Sequence, residues 1–286
     1  MGMDQFELPA VARVRARWTQ LAELFCRTSE VSAEWSRGSE DLLLAQLERH
    51  RCRDILDLAC GVGDPSLRLA ARFPDARVVA VDFVDEMLLE VQRRAAASGL
   101  RNVRVQTADM LALPFAAGSF DTVTCRFGIQ YYDDEVKRRI LAEAARVLSP
   151  RGVIAVVDWG VQGHGLLKDF YMSVLSQYPE TAHANDAATA FNLIDDLAFA
   201  HLLREADFND VKHDYPEVRW RWSGSPKSLW QHVTVLAPQL TEILSRIAPA
   251  LADEIDGRIV DGLARFVRGS SVIIPVRNVA LSGVRN

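Results

Sequence analysis

Hydrophobic residues between positions 53 and 160 fall in short apolar runs that alternate with stretches of amphipathic, helix-like spacing. Runs of this length indicate buried strands, and their alternation with helices is typical of βαβ units stacked into a parallel sheet. Asp64 followed by Pro65 predicts an N-cap and a first helical residue, because proline at that position loses no hydrogen bond. The predicted strands are residues 53–58, 77–82, 103–106, 120–126 and 153–158, and the predicted helices are 65–73, 84–97 and 134–148.

The flanking segments have a looser pattern. Residues 8–28 and 39–50 predict two N-terminal helices joined by a connection over 29–38. The segment 160–192 is longer than an ordinary connection and contains one predicted helix, 166–177, which indicates a lid or a binding insertion. The remaining predicted elements are a helix over 197–206, a strand beginning within 211–222, helices between 226 and 267, and a last strand over 271–281.

No segment resembles a flexible linker, so we expect one domain over residues 1–286. Within it, 1–52 is expected to form a helical cap and 53–160 a cofactor-binding core, while 161–196 and 223–268 are expected to be insertions on the substrate side.

Composition excludes several classes of protein. The 33 basic against 38 acidic residues leave a net charge of −5, which argues against a nucleic-acid substrate. No apolar run reaches the roughly 20 residues of a membrane span, and the N-terminus lacks a secretion pattern. The four cysteines form no metal-binding spacing, so we expect reduced thiols, no bound metal and a cytoplasmic protein.

A glycine-containing loop follows the first predicted strand. Gly61 and Gly63 have no side chains, so the backbone there can approach a ligand, although both could also be simple turn residues. A dinucleotide site prefers a third glycine where this chain has Ser66, and it needs a helix N-terminus free for pyrophosphate. A carboxylate capping that helix at Asp64 would repel phosphate. The loop therefore suits a nucleoside without phosphates.

Five motifs in order resemble the class I S-adenosylmethionine-dependent methyltransferases, in the branch related to ubiquinone and menaquinone C-methyltransferases. The resemblance is strong over about residues 54–159 and elsewhere extends only to the layout. It implies an α/β fold with a doubly wound, mostly parallel, seven-stranded Rossmann-like sheet, N-terminal helices and helical lid insertions. Arg151 stands where the family usually has glycine, which we expect to affect only a turn. The motifs are residues 57–65, Val81-Asp82-Phe83, Ala108-Asp109-Met110, residues 119–128 and residues 146–152.

The resemblance and the residue types together assign a cofactor site. Asp82, at the end of the second strand, can accept hydrogen bonds from both ribose hydroxyls. Asp109 could instead be a loop residue that caps a turn. The expected adenine contacts are Phe83, Met87, Ala108, Asp109 and Met110, the expected contacts of the methionine end are Asp57 and Ala59 to Gly63, and Arg126 and Phe127 are expected beneath the sulfonium.

Methyl transfer from a sulfonium is a one-step displacement, so a base is needed only if the acceptor must lose a proton. We expect His164 as the first candidate for this base and Tyr131 as the second, with His183, His232, Tyr132 and Asp158 as further candidates. Single histidines in such segments are more often surface or packing residues. The predicted substrate contacts are Tyr132, Phe170, Tyr171, Tyr178 and His232, while Trp220, Trp222 and Trp230 fit a core role better.

The predicted function is methyl transfer to a small, largely apolar or aromatic metabolite of specialised or quinone-like metabolism, with carbon or oxygen favoured as acceptor atom. N-methylation and a methylation-triggered cyclisation of a prenylated acceptor stay open. A nicotinamide-dependent dehydrogenase and a non-catalytic ligand-binding module are the alternatives from other classes. The sequence leaves open whether the chain forms a homo-oligomer.

Overall fold

A computed structural model describes residues 9–161, 166–181, 194–236 and 238–286. The predictions for His164 and His183, and for much of the predicted insertion over 161–196, lie outside the described residues.

The main sheet has seven strands in the order β3-β2-β1-β4-β5-β10-β6. Every strand runs parallel to its neighbours except β10, which is antiparallel to both β5 and β6. This confirms the predicted mostly parallel, Rossmann-like sheet. The strands are β1 (Asp54–Leu58), β2 (Arg77–Asp82), β3 (Val103–Thr107), β4 (Phe120–Arg126), β5 (Leu148–Asp158), β6 (Phe208–Asp214) and β10 (Val279–Arg285).

Helices cover both faces of this sheet because successive strand residues point to opposite sides. In β1, Leu56 and Leu58 belong to the core beneath α5 and α7, whereas Ile55 packs with α2 and α3 on the other face. The helices concerned are α2 (Ser29–Leu47), α3 (Ser66–Arg72), α4 (Asp85–Ala97), α5 (Asp134–Val147) and α7 (Asp196–Glu205).

A second, three-stranded antiparallel sheet was not predicted. It contains β7 (Glu217–Trp222), β9 (Ser271–Arg277) and β8 (Val267–Arg268), in the order β7-β9-β8. The single strands expected within 211–222 and over 271–281 are each two strands, one in each sheet. Pro216 separates the first pair and lacks the N–H that would continue a ladder, and buried Asn278 separates the second pair.

The N-terminal helices differ from the prediction at their junction. Helix α1 (Pro9–Arg27) is followed by α2 after Thr28 alone, so the expected connection over 29–38 is helical. Gly38 is tolerated in this helix because the helix packs closely on β7: a Cβ added there would lie 3.0 Å from the Arg219 carbonyl oxygen. Tertiary contact therefore overrides the weak helix preference of this segment.

Helices and the small sheet enclose a second hydrophobic core. Trp220, Trp222 and Trp230 are buried in it, as their core interpretation predicted. No helix among the described residues is long and apolar enough to cross a bilayer. The helices are α6 (Leu166–Leu175), α8 (Pro226–Leu236), α9 (Pro238–Ser245) and α10 (Pro249–Leu263), and single 3₁₀ turns lie at Pro179–Thr181 and Ala264–Phe266.

Two glycines of α10 provide a matched test of this packing. A Cβ at Gly257 would meet nothing within 4 Å, so Gly257→Ala should raise the free energy of unfolding by about 1 kcal/mol through helix propensity. A Cβ at Gly262 would lie 2.0 Å from Phe170 Cζ, so Gly262→Ala should instead lower the free energy by about 1–3 kcal/mol through overpacking. Urea denaturation measures both changes, and equal stabilisation by the two variants would contradict the placement of Phe170.

Candidate functional site

A cavity of about 340 Å³ lies at the carboxyl ends of β1, β2 and β4, beneath α1, α2, α8 and the small sheet. Its wall combines residues of the predicted cofactor loop with aromatic residues of the substrate side. Carboxyl ends of parallel strands are where ligands bind in open α/β sheets. We name two parts of the lining after the predictions: the expected cofactor side comprises Ala59, Cys60, Gly61, Val62, Asp82, Phe83, Met87 and Met110, and the expected substrate side comprises Trp35, Phe127, Trp159, Tyr171, Trp220, His232, Val233 and Val276.

The loop after β1 presents its backbone to this cavity. Gly61 has φ +51° and lines the cavity, with only Met87 Sδ close to an added Cβ. Gly63, at φ +103°, faces the protein: a Cβ there would lie 3.2 Å from Leu67 Cγ and 3.3 Å from Val91 Cγ2. Gly61 thus provides access for a ligand, whereas Gly63 permits close packing of α3 and α4 on the loop.

Asp82 is a buried carboxylate in the cavity wall. Its Oδ2 accepts a hydrogen bond of 2.9 Å from the Gly61 N–H, and its Oδ1 accepts one of 3.1 Å from the Val84 N–H. Burial raises the pKa of this carboxyl, while the backbone hydrogen bonds oppose the rise. A carboxylate has about four lone-pair sites, so two stay free for ligand hydroxyls.

Asp57 is fully buried and does not line the cavity. It accepts hydrogen bonds from Thr124 Oγ1, at 2.7 Å, and from the Ser66 hydroxyl at the start of α3. Burial raises the pKa of Asp57 to about 6. The side chain predicted to contact the methionine end therefore joins β1, β4 and α3 beneath the loop.

The predicted adenine contacts divide into two groups. Phe83, Met87 and Met110 line the cavity, but Ala108 and Asp109 do not. Arg15 of α1 binds Asp109 at 3.0 Å and places its guanidinium 4.9 Å from the centroid of the Phe83 ring. The sequence could not predict this contact, since 94 residues separate Arg15 from Asp109.

The predicted N-cap at Asp64 is wrong. Helix α3 begins at Ser66 after Pro65, and the Asp64 carboxylate binds Arg94 at 3.0 and 3.1 Å. The guanidinium of Arg126 donates to the Asp64 carbonyl oxygen at 3.1 and 2.9 Å. The interactions of Asp64 therefore connect the loop to α4 and β4, and no carboxylate caps α3.

Aromatic rings form the wall of the substrate side. Phe127 stacks on Trp159 with centroids 5.4 Å apart, and Trp220 lies edge-on to both Trp159 and Trp35. Phe127 adopts φ +58°, which places it at the sharp turn after β4. These rings come from β4, β5, α2 and the small sheet, so the chamber forms only in the folded protein.

The predicted substrate contacts also divide. Tyr132, Tyr171 and His232 line the cavity, but Phe170 and Tyr178 do not. Phe170 packs against Gly262 of α10, with the Arg265 guanidinium 4.7 Å from its ring centroid. The Tyr178 hydroxyl accepts from Arg258 and donates to Glu254, each at 2.8 Å. The side chains of Phe170 and Tyr178 therefore contact α10 and the turn after it rather than the cavity.

Of the predicted bases, Tyr131 lines the cavity, but burial and the nearby Asp158 raise its pKa well above the ordinary tyrosine value. It therefore stays protonated at neutral pH. Asp158 is fully buried and accepts from the N–H groups of Ile129, Gln130 and Trp159 at 2.9–3.2 Å. Asp158 orders the loops after β4 and β5 and does not line the cavity.

Gln130 and His232 are the buried polar residues of the wall that are best placed to meet a ligand. Burial lowers the pKa of His232, so its imidazole is neutral at pH 7. Gln130 was not among the predicted site residues, although it lies two positions after the Arg126-Phe127-Gly128 motif. Its closeness to that motif is the sequence signal that could have identified it. Among the described residues, no group of His, Cys, Asp and Glu side chains could hold a metal ion.

Comparisons with known proteins agree with this architecture. Residues 55–152 match a family model described as a methyltransferase domain. The chain is 32% identical over 216 residues to a ubiquinone/menaquinone biosynthesis C-methyltransferase of Paracoccus denitrificans, covering 70% of this chain and 82% of that protein. It is 44% identical over 125 residues to the demethylmenaquinone methyltransferase of Thermus thermophilus, covering 44% of this chain and 54% of the relative. The chain thus spans about half the length of that relative and of a second one from Deinococcus radiodurans.

Solved structures share the fold. The YcgJ protein of Bacillus subtilis aligns with a TM-score of 0.55 and 19% identity, covering 87% of this chain and 99% of that chain. A Haemonchus contortus phosphoethanolamine N-methyltransferase 2, in complex with S-adenosylhomocysteine, aligns with a TM-score of 0.53 and 18% identity. The alignment covers 86% of this chain and 52% of that chain. At these identities the likeness concerns the fold alone.

Proposed function

The chain belongs to the class I S-adenosylmethionine-dependent methyltransferases, in the group related to the ubiquinone and menaquinone C-methyltransferases, and on this premise we propose that it methylates a small, largely apolar or aromatic metabolite. The observation that carries the proposal is the cavity in which the family's glycine loop opens onto an aromatic chamber. A site for the methyl donor and a site for an apolar acceptor therefore lie side by side.

The residues of the cofactor side fit S-adenosylmethionine, which when bound supplies a methyl group on a positively charged sulfur. Asp82 has lone pairs left for the ribose hydroxyls, and Phe83, Met87 and Met110 provide apolar surface for the adenine. The backbone around Gly61 would receive the methionine end.

The charge around the loop also favours a cationic ligand over a pyrophosphate. Burial raises the pKa of the Cys60 thiol, and Asp82, Asp57 and Asp64 act in the same direction, so the thiol is protonated and inert as a nucleophile. Arg94 pairs with the Asp64 carboxylate, whereas Asp82 lines the cavity and accepts hydrogen bonds from two backbone N–H groups. The carboxylate of Asp82 would repel phosphate oxygens and attract a sulfonium, which disfavours a nicotinamide dinucleotide.

For the transfer, the residues of this chain have to orient the acceptor and exclude water. The rings of Trp35, Phe127, Trp159 and Trp220 offer flat surfaces that restrict a planar acceptor. Trp18 and Phe25 of α1 line the same cavity and cover it from the N-terminal side. A dry, preorganised chamber of this kind favours displacement at a methyl carbon.

The chamber favours carbon or oxygen as the acceptor atom. The rings and aliphatic side chains of its substrate side are uncharged and His232 is neutral at pH 7, while Arg17 and Arg126 contribute the guanidinium groups of the cavity lining. A quinone-like or other specialised metabolite matches such a lining. Aromatic faces also attract ammonium groups, so N-methylation of a small amine is the second candidate. Methylation-triggered cyclisation of a prenylated acceptor would use the same apolar surface.

Calorimetry with S-adenosylhomocysteine and NAD⁺ tests the cofactor part of this proposal. We expect one S-adenosylhomocysteine bound per chain and no heat from NAD⁺. Binding of NAD⁺ alone would favour a dehydrogenase and contradict the proposal. Incubation with isotope-labelled S-adenosylmethionine and a cell extract of the source organism, followed by mass spectrometry, then identifies the acceptor. Cofactor binding without any labelled product would favour a ligand-binding module.

A further inference from the structure

Buried polar atoms without hydrogen-bond partners are rare in folded proteins, and each calls for an explanation. Six described residues carry such side-chain atoms, and two of them, Gln130 and His232, line the cavity. The other four lie elsewhere: Glu40, Gln46, Asn278 and Arg285.

Gln130 is only 1% exposed, and both its amide oxygen and its amide nitrogen lack partners. Its main chain is fixed, because its N–H and that of Ile129 donate to Asp158. The Gln130 side chain is close enough to the Tyr131 hydroxyl to lower the pKa of that tyrosine, but neither amide atom of Gln130 has a partner at full hydrogen-bonding geometry. A rigid loop thus places an unsatisfied amide in the cavity wall.

His232 lies on α8, is 8% exposed, and has an Nε2 atom without a partner. Its ring centroid lies 4.7 Å from that of Trp222, which holds the imidazole against the small sheet. Burial alone accounts for its lowered pKa, so the neutral ring can accept a hydrogen bond. The next residue, Val233, also lines the cavity.

We propose that Gln130 and His232 determine acceptor specificity by hydrogen bonding to oxygen atoms of the acceptor, so that the chamber selects an aromatic ring bearing hydroxyls over a hydrocarbon of the same shape. The inference rests on the proposed function and deepens it. A hydroxyl would satisfy the imidazole as a donor, and the amide can donate to or accept from a second oxygen. A hydrocarbon would leave both groups unpaired, and sites built to bind hydroxyls reject such analogues strongly.

The test uses two probes of matched shape, 1,4-dihydroxynaphthalene and 1,4-dimethylnaphthalene, with the full chain saturated by S-adenosylhomocysteine under anaerobic conditions. Fluorescence of Trp35, Trp159 and Trp220, which line the cavity, reports binding. We expect Gln130→Met and His232→Phe each to lower the affinity for the dihydroxy probe about tenfold and to change the affinity for the dimethyl probe less than about twofold.

Gln46→Met is the matched control, because Gln46 also has an unpartnered amide nitrogen but lies away from the cavity. It should change neither affinity. The inference would be overturned if the Gln130 and His232 variants lost affinity for both probes equally, or if the affinity for neither probe changed. If His232→Phe does not fold, as judged by circular dichroism, His232→Leu replaces it. Failure of the unmodified chain to bind S-adenosylhomocysteine would instead overturn the proposed function.

Discussion

Replacing Asp82 with asparagine will weaken the binding of S-adenosylhomocysteine about 100-fold, as measured by calorimetry. Hydrogen bonds to a charged acceptor each contribute about 1.5–3 kcal/mol, and the carboxylate is expected to receive both ribose hydroxyls. Asparagine offers one acceptor oxygen, which the Gly61 and Val84 N–H groups already require. Its NH₂ group would also face these backbone donors. The substitution therefore removes ligand contacts and disturbs the loop that presents Gly61.

The matched control is Asp54→Asn. Asp54 begins β1, at the opposite edge of the sheet, where its carboxylate binds Arg77 at 2.7 Å. This variant should bind S-adenosylhomocysteine like the unmodified chain, since an exposed ion pair contributes little to stability. An Asp82→Asn variant that is folded and binds normally would remove Asp82 from the cofactor site.

The free energy of unfolding will fall as pH rises from about 4.5 to about 8, and Glu40→Gln will flatten this decline. Burial raises the pKa of Glu40 and of Asp158 to about 7 and that of Asp57 to about 6. A carboxyl with a raised pKa in the folded state contributes stability that is present below its unfolded pKa and lost as pH rises through the folded value. The folded protein thus binds more protons than the unfolded chain throughout this interval.

Glu40 is 1% exposed, and its Oε2 is 3.4 Å from Arg68 while its Oε1 has no partner. Arg126 and Arg68 lower its pKa, but burial outweighs them, with Asp64 acting in the same direction as burial. A pKa that rises from 4.5 to about 7 corresponds to about 3 kcal/mol, at about 1.4 kcal/mol per unit. The stability of Glu40→Gln relative to the unmodified chain should increase by about that amount between pH 4.5 and pH 8 in urea denaturation.

Glu143→Gln provides a contrast of opposite sign. The hydrogen bond from Arg146 lowers the pKa of Glu143, so its contribution is present above the ordinary glutamate pKa and lost below it. Its substitution should therefore lower the stability above the ordinary glutamate pKa, and the difference from the unmodified chain should shrink only on the acid side. A Glu40→Gln curve parallel to that of the unmodified chain from pH 4.5 to pH 8 would show that Glu40 ionises normally in the folded protein.

The local pattern of apolar residues was sufficient to predict the strands and helices around the parallel sheet. Strand β4 and the helices after β2 and β4 lie where the apolar periodicity predicts, because both faces of a parallel sheet are covered and its central strands must be apolar. Arg151 illustrates a departure with a local cause. It adopts φ +65°, a conformation that glycine usually supplies. The residue lies within β5, so the turn predicted before a strand at 153–158 is wrong: the strand begins at Leu148, and its register against β4 shifts there.

The N-terminal cap and the substrate side were predicted less well. Gly38 and the residues before it resemble a connection, but contact with β7 makes them helical. The sequence pattern predicts β7 as part of the same strand as β6, and β9 as part of the same strand as β10. A break of one or two residues between them leaves the apolar alternation almost unchanged. Long-range pairing, rather than local preference, assigns each half to its sheet.

The sequence by itself determined the class of fold and the positions of the glycine loop and of the aspartate at the end of β2, because these depend on residue type and on local spacing. Only the tertiary structure decided which side chains meet in the cavity. Arg15 reaches Asp109 and Phe83, Gln130 and His232 line the same cavity, and Phe170 and Tyr178 do not line it. Side chains from α1, β4, α6 and α8 converge there through packing between distant segments, and no local pattern records such contacts.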